Sequence, residues 1–340
     1  MSEIKLPTPP KGKHYILVDD EFVFDVATDL RPEQKAEVLI ESLGWLNKFT
    51  GKIVVIKYGG NAMINNDLKN NFAEDIKYLK KVGVKPVIVH GGGPQISEML
   101  NKLGIKSEFK HGLRVTTKES MDVVRMVLTG KVSRELVGLI NTDKPYAVGI
   151  SGEDAGLFKA TKTTHTSTGE EVDFGLVGDI DSVDPTAVLD FLDAGRVPII
   201  STVAPDKDDP TTVLNINADL AASALAASLN ATKLIVLTDV EGIYETWDES
   251  TNGPDPSSLI KQISATKLRE LLPTMSSGMI PKVRACLEAI DGGVESAHII
   301  DGRKKHSLLN EIFTTEGVGT MIVSNDSQTV YGRYTARDLD

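Results

Sequence analysis

Two lysines stand where a cation needs a reason. Lys57 closes the apolar run Ile53-Val54-Val55-Ile56 and opens the loop Lys57-Tyr58-Gly59-Gly60-Asn61. Lys282 follows Ser277-Gly278-Met279-Ile280-Pro281 at the start of an expected helix, where a cation opposes the helix dipole unless an anion lies close by. A single lysine ordinarily reads as a solvated surface charge, but each of these adjoins a glycine loop. A second such loop, His90-Gly91-Gly92-Gly93-Pro94, joins a strand to a helix opened by Pro94. Glycine lets the backbone approach a ligand, and a helix N-terminus offers N–H groups that have no acceptor within the helix. One glycine pair alone is a tight turn. Two loops at equivalent strand ends point to a shared centre for phosphoryl transfer, because ligands of an open parallel sheet gather beyond the carboxyl ends of its strands.

A third polar cluster, Asn215-Ile216-Asn217-Ala218-Asp219, precedes a segment rich in Ala and Leu. A helix cap accounts for one of its three polar residues and leaves two for other work. The run 233–238 leads into Thr238-Asp239-Val240-Glu241-Gly242-Ile243-Tyr244, another strand-end loop suited to a ribose or a phosphate. Other nucleotide signatures are missing. There is no Gly-x-x-x-x-Gly-Lys-Ser/Thr, and Gly91-Gly92-Gly93 lacks the third glycine of a dinucleotide fingerprint. Asp173-Phe174-Gly175 copies a protein-kinase tripeptide without the companion motifs that would give it meaning, and reads as coincidence.

These loops need elements to hold them. Leu39, Ile40, Leu43, Leu46 and Phe49 recur at helical spacing after Pro32, with Gly51 beyond, which predicts an amphipathic helix over 31–49. Before it lies an irregular leader over 1–30 with two strand-like runs, 15–18 and 22–24. Strand 53–56, a helix from Leu68 to Leu79 stopped at Gly83, strand 86–90 and a helix from Pro94 stopped at Gly104 follow. A longer helix is expected from Thr116, where Thr116-x-x-Glu119 fits a capping box, to Ile140. Residues 146–180, rich in Thr and Gly, read as short strands and hairpins. The alternation then resumes with helix 185–194, strand 197–202, helix 217–229, strand 233–238, helices 264–272 and 280–290, strand 297–300, helix 306–313 and strand 319–323. The loop 247–258, with Asn252-Gly253-Pro254, is expected to be mobile. The fold class is therefore α/β, with a mostly parallel sheet covered on both faces.

Composition permits this reading. The chain has 340 residues, 41% hydrophobic and 25% charged, as soluble globular proteins do. A net charge of −11 argues against a surface given over to nucleic acid or an anionic membrane, so an anionic ligand must be met locally. No apolar run approaches the ~18 residues needed to cross a bilayer, and residues 1–13 carry prolines and charges in place of an apolar signal core. The expected location is the cytoplasm. The single cysteine, Cys286, sits in an apolar helical pattern and reads as a small core residue. Asn230-Ala231-Thr232 is an accidental glycosylation sequon in that setting.

Taken together, Lys57-x-Gly-Gly-Asn61, His90-Gly-Gly-Gly-Pro94, Gly112-Leu113-Arg114-Val115-Thr116, Asn215-x-Asn-Ala-Asp219, Thr238-Asp-Val-Glu-Gly-Ile-Tyr244 and Ser277-Gly-Met-x-Pro-Lys282 resemble the acetylglutamate kinases of the amino-acid kinase superfamily, in order, over about residues 35–323. The lysine and aspartate loops are shared across the superfamily; the His90 and Gly112 motifs narrow the resemblance. It implies a three-layer sandwich around a mostly parallel sheet, an N-acetyl-L-glutamate lobe over about 51–210, an ATP lobe over about 211–325 and a tail over 326–340. The implied reaction moves the γ-phosphoryl of ATP to the γ-carboxylate of N-acetyl-L-glutamate, the second step of arginine biosynthesis.

Each residue then takes an implied role. Lys57 and Lys282 would contact the transferring phosphoryl group, with Asp219 holding both; Gly92, Gly93, Arg114 and Asn215 would bind N-acetylglutamate, Arg114 by a two-pronged bond to the α-carboxylate. Gly59, Gly60, Thr238, Asp239, Gly242, Tyr244 and Gly278 would lie along ATP. With no dense carboxylate cluster, Mg²⁺ would be held mainly by ATP itself, and no protein residue is named as its ligand. The resemblance extends to arginine-sensitive members, in which a helix placed like 31–50 interlaces dimers into a hexamer, a trimer of dimers, and arginine inhibits. His298, Glu311 and Gly317 would form that arginine site, with Glu311 taking the guanidinium and Gly319 helping the backbone to reach it. Two alternatives stay open: a sibling kinase for glutamate, aspartate, carbamate or a nucleoside monophosphate, and an amino-acid sensor that keeps the fold. Intact Lys57, Asp219 and Lys282 weigh against the sensor.

Overall fold

Each apolar run of the chain serves two cores at once. In the strand Ile53–Tyr58, Val54 and Ile56 pack into one buried cluster and Val55 into the other; Ile88 is separated in the same way from Val87 and Val89, and Ile235 from Leu234 and Val236. A strand places successive side chains on opposite faces, so a run without polar interruptions requires cover on both. The cover comes from Asn66–Lys81, Gly93–Lys102, Lys118–Ile140 and Ser307–Phe313 on one face. Thr186–Asp193, Ala218–Ser228, Ala265–Leu271 and Ile280–Asp291 supply it on the other. The result is the expected three-layer α/β architecture.

The structure, a computed structural model, describes residues 15–18, 21–24, 31–165, 170–248, 253–276 and 278–325. Its main sheet has eight strands in the order Gln262–Ser264, Thr320–Val323, Ser296–Asp301, Lys233–Thr238, Ile53–Tyr58, Lys85–His90, Val197–Ser201, Ala147–Ser151. All pairings are parallel except Ser296–Asp301 with Thr320–Val323. Both glycine loops therefore leave neighbouring parallel strands at the same sheet edge. A second sheet of four strands, Val203–Pro205, Val213–Ile216, Val177–Val183 and Phe158–Lys162, carries Asn215. A hairpin of Glu108–Lys110 with Leu113–Val115 carries Arg114. Its two-residue turn, His111 (φ 48°) and Gly112 (φ 82°), has the positive dihedrals that match strand twist.

Two compact units divide the chain at 44/45. The first holds the antiparallel strands Tyr15–Val18 and Glu21–Phe24 and most of the helix Pro32–Phe49, where Val38, Leu39, Ile40 and Leu43 are exposed. In the second, Trp45 and Phe49 stack at 6.2 Å and are buried in the core.

Several expectations are corrected. Thr116 does not cap the long helix: its N–H donates to Phe174 O (2.9 Å) and its carbonyl accepts from Leu176 N (2.6 Å), so it is extended and tied across the chain. Thr117 is the cap, accepting from Ser120 N, and the helix begins at Lys118. That helix is also not uniform, because Met126–Val132 is a π-helical insert. The strands Val203–Pro205, Val213–Ile216 and Gln262–Ser264 were not expected, being too short for a periodicity to register. Asp173-Phe174-Gly175 is a structural turn, with Phe174 buried and Asp173 accepting from Gly175 N. Cys286 is fully buried, as its pattern suggested. Of the loop expected to be mobile, residues 249–252 lie outside the described residues; Trp247–Asp248 pairs with Gly253–Pro254.

Candidate active site

Beyond the carboxyl ends of the central strands lies a cleft of about 310 Å³. Lys57, Gly59, Gly60, Gly92, Gly93, Arg114, Asn215, Asp219 and Lys282 all line it. Residues separated by up to 225 positions in sequence, 282 − 57, thus converge on one space.

Asp219 anchors the cationic wall. It lies in the first turn of the helix Ala218–Ser228, whose cap is Asn217, accepting from Asp219 N and Leu220 N. Only 5% exposed, its carboxylate meets Lys57 Nζ at 2.9 Å and Lys282 Nζ at 3.6 Å. The Lys57 contact is an ion pair without the alignment of a directed hydrogen bond, which leaves Oδ1 without a hydrogen-bond donor. Burial alone would raise the carboxyl pKa; the two ammonium groups, Lys57 foremost, outweigh it and hold the pKa below the usual value. One carboxylate balances two cations, so the wall has a surplus positive charge facing the cleft. Gly59 makes room for this, since a Cβ there would stand 3.1 Å from Lys57 Nζ. Among the described residues Asp219 is the only carboxylate that lines the cleft, both lysines occupy it, and no group of three or more His, Cys, Asp or Glu could hold a metal.

The opposite wall is Arg114, 7% exposed. Its guanidinium donates to Ser97 Oγ (2.7 Å), to Gly93 O (3.1 Å) and to Ser107 Oγ, and lies 4.6 Å from the centre of the Phe109 ring. Burial lowers its pKa, yet a guanidinium remains charged at any working pH. Three of its five N–H groups are used, which leaves two for a ligand. Sequence reasoning missed Ser97, Ser107 and Phe109. Phe109 had a signal, because the two-residue turn at 111–112 sets it opposite Arg114. Asn215 donates to Thr116 Oγ1 (3.3 Å), linking the four-stranded sheet to the end of the Arg114 hairpin.

Between the walls runs Gly91-Gly92-Gly93, at the start of the helix Gly93–Lys102, whose first N–H groups have no intrahelical acceptor. Gly92 is required by packing: a Cβ would stand 2.7 Å from Leu128 Cδ2 and 3.2 Å from Val132 Cγ2, both on the π-helical insert. Such inserts favour functional sites; this one pushes an apolar wall against the glycine loop.

The other expected residues lie elsewhere. Gly278 O accepts from Lys282 Nζ at 3.4 Å. Thr238 ends its strand and donates to Asp239 Oδ1 (3.3 Å), while Gly242 packs on Thr320 and Tyr244 bridges to Leu259; none of the four lines the cleft. Ser277 lies outside the described residues. His298 and Glu311 form a separate buried network. Glu311, 3% exposed, has Oε1 2.6 Å from His298 Nδ1, and its Oε2 accepts from Val318 N (2.6 Å) and Gly319 N (3.0 Å). Gly317 adopts φ 58° in the loop that joins the helix Ser307–Phe313 to the strand Thr320–Val323. On the far side of the ring, Lys233 Nζ lies 2.9 Å from His298 Nε2 and 5.0 Å from the centre of the Phe49 ring.

The sequence pattern of the amino acid kinase family matches residues 52–301. The chain belongs to that family. It is 62% identical over 313 residues to the acetylglutamate kinase of Bifidobacterium adolescentis, covering 92% of this chain and 96% of the relative. The acetylglutamate kinase of Beutenbergia cavernae is 60% identical over 304 residues, 89% of this chain and 96% of the relative. Among solved structures, N-acetylglutamate synthase of Neisseria gonorrhoeae, complexed with coenzyme A and N-acetyl-glutamate, superposes with a TM-score of 0.73 at 23% identity. That match covers 86% of this chain and 64% of the synthase, so this chain spans just under two thirds of it, and the likeness is one of fold.

Proposed function

We infer that this amino acid kinase is an acetylglutamate kinase, transferring the γ-phosphoryl of ATP to the γ-carboxylate of N-acetyl-L-glutamate in arginine biosynthesis. The observation that carries the reading is the pair Lys57 and Lys282 sharing Asp219 on one wall of the cleft that Gly92, Gly93 and Arg114 close on the other. The acceptor is already an anion, so no general base is needed; the difficulty is to bring a carboxylate onto a polyanion. A carboxylate oxygen attacks the γ-phosphorus in line, the new O–P bond forms, and the bond to the β–γ bridging oxygen breaks to release ADP. Lys57 and Lys282 counter the charge that grows during transfer, Asp219 fixes their ammonium groups, and Arg114 holds the α-carboxylate. Mg²⁺ would be held by the triphosphate and would offset part of its charge, since among the described residues Asp219, which lines the cleft, is already paired with both lysines. Thr238, Asp239, Gly242, Tyr244 and Gly278 line the nucleotide, with residues 51–210 serving acetylglutamate and 211–325 serving ATP. Among the described residues no helix is long and apolar enough to cross a membrane, and the cytoplasm, where ATP is available, is the proposed location.

The test supplies ATP, Mg²⁺, hydroxylamine and a panel of carboxylic acids. N-Acetylglutamate should give the hydroxamate; hydroxamate from another acid alone would assign a sibling kinase, and none from any acid would sink the reading.

Arginine inhibition of a hexamer built as a trimer of dimers belongs to the same proposal. The exposed Val38, Leu39, Ile40 and Leu43 of the helix Pro32–Phe49 support a contact between subunits. For arginine to reach Glu311, its guanidinium must take over bonds now made by His298 and the loop, so binding would select a different arrangement of that loop. Deletion of residues 1–44, which spares the buried Trp45 and Phe49, should yield active dimers with weakened response to arginine. Sedimentation as a hexamer after deletion would refute the helix's role.

A further inference from the structure

His90 closes the strand Lys85–His90 directly before the glycine loop, and it is wholly buried. Its Nδ1 lies 3.0 Å from Gly91 O. A carbonyl oxygen only accepts, so the proton is on Nδ1 and Nε2 is a bare acceptor. Nε2 has no partner among the described residues, which makes the bond to Gly91 the one the ring's nitrogens make.

That bond controls a peptide unit set between two glycines. Gly–Gly peptides reorient easily because neither neighbour has a Cβ to resist rotation, and an anion-binding loop made of them needs an outside restraint. In a planar trans peptide the C=O and N–H point in opposite directions. With Gly91 O drawn to the His90 ring, the N–H of Gly92 is turned away from that ring, and Gly91, Gly92 and Gly93 all line the cleft. Gly91 N is tied in turn to Tyr58 O (3.2 Å), and His90 O accepts from Thr202 Oγ1 (3.4 Å), so the ring's own backbone is anchored to both neighbouring strands.

We propose that His90 is a positioning residue: its Nδ1–H fixes the Gly91–Gly92 peptide so that the Gly92 N–H meets the substrate anion in the cleft. The inference rests on the acetylglutamate kinase reading for the identity of that anion. At working pH the ring is neutral, because burial, opposed by the Gly91 bond and aided by Arg134, lowers its pKa to about 4; the bond to Gly91 then fixes which nitrogen holds the single proton.

The experiment compares His90→Asn, whose amide nitrogen can sit where Nδ1 does, with His90→Leu, which fills more apolar volume and donates nothing. His90→Leu should lower kcat/KM for N-acetylglutamate by about 30- to 100-fold, short of the ~10²–10³ for deleting a transition-state donor outright, with KM for ATP changed less than about twofold. His90→Asn should recover to within about fivefold of the unaltered protein. If the ring serves packing alone, Leu will match or exceed Asn, and the proposal is overturned. The ¹⁵N spectrum of the imidazole in the unaltered protein gives a second arm that does not depend on turnover. Protonated Nδ1 with bare Nε2 at pH 7 supports the proposal; protonated Nε2 overturns it. Turnover of N-acetylglutamate by the unaltered protein is the separate check on the reading beneath it.

Discussion

Two buried charge clusters lie within the kinase fold, and they are balanced in opposite ways. At the cleft, Asp219 serves two ammonium groups and the surplus charge faces empty space of about 310 Å³. At the other cluster, Lys233, His298 and Glu311 form a chain in which the imidazole donates to the carboxylate on one side and accepts from the ammonium on the other. There one cation meets one carboxylate. Burial raises the Glu311 pKa, but the His298 bond and the N–H groups of Val318 and Gly319 bring it down to about 2. His298 falls to about 4, through burial first and Lys233 second, so above that pH it is a neutral N–H donor to Glu311. A cluster with unspent charge calls for a ligand, whereas a closed one admits a ligand only by giving up a partner it already has.

This contrast can be broken by substitution. The largest effect is expected on stability, from Glu311→Ala, which leaves buried N–H groups and Lys233 without their carboxylate. Denaturant unfolding should show a loss of about 3–5 kcal/mol; an unchanged midpoint would mean the closed network is not one. Where the variant remains folded, kcat should stay within severalfold of normal and arginine inhibition should vanish.

At the open cluster the effect to be read is on chemistry. Lys57→Ala, and separately Lys282→Ala, should lower kcat by about 10²–10³ with little change in KM for ATP. Near-normal kcat in either variant would remove that lysine from the mechanism. Arg114→Lys comes next, because an ammonium cannot reproduce the fork that reaches Ser97, Ser107 and a carboxylate together. KM for N-acetylglutamate should rise about 10- to 100-fold and KM for ATP should not; equal losses would place Arg114 in the scaffold.

The smallest effect is one of pH. His298 takes up a proton only near pH 4 when folded but near pH 6.5 when unfolded. Between those values the unfolded chain binds more protons, so stability falls as pH drops through the window, by about 2 kcal/mol from pH 7 to 5. His298→Asn should flatten that slope, and a slope unaffected by the substitution would contradict the buried neutral ring.

Much of the scaffold was legible because it rests on local repetition. Apolar strands of five or six residues alternating with amphipathic helices announced a sheet covered on both faces, and Gly83 and Gly104 adopt the left-handed φ of 88° and 72° expected beyond helix ends. The short strands of the second sheet carried no such pattern, and Thr116 looked like a cap because a capping box is a local signature while its actual partners, Phe174 and Leu176, are distant.

The sequence by itself determined which residues were unusual: lysines beside glycines and three polar residues before an apolar helix, with Arg114 singled out only by the resemblance of the motif around it. Side-chain chemistry and backbone propensity are properties of a few neighbouring residues, and they survive in the order of the chain. Tertiary structure alone decided the balance of charge. That Asp219 faces two cations and Glu311 is already committed depends on which strand ends meet, and electrostatic energy depends on distance and burial, which linear order does not record.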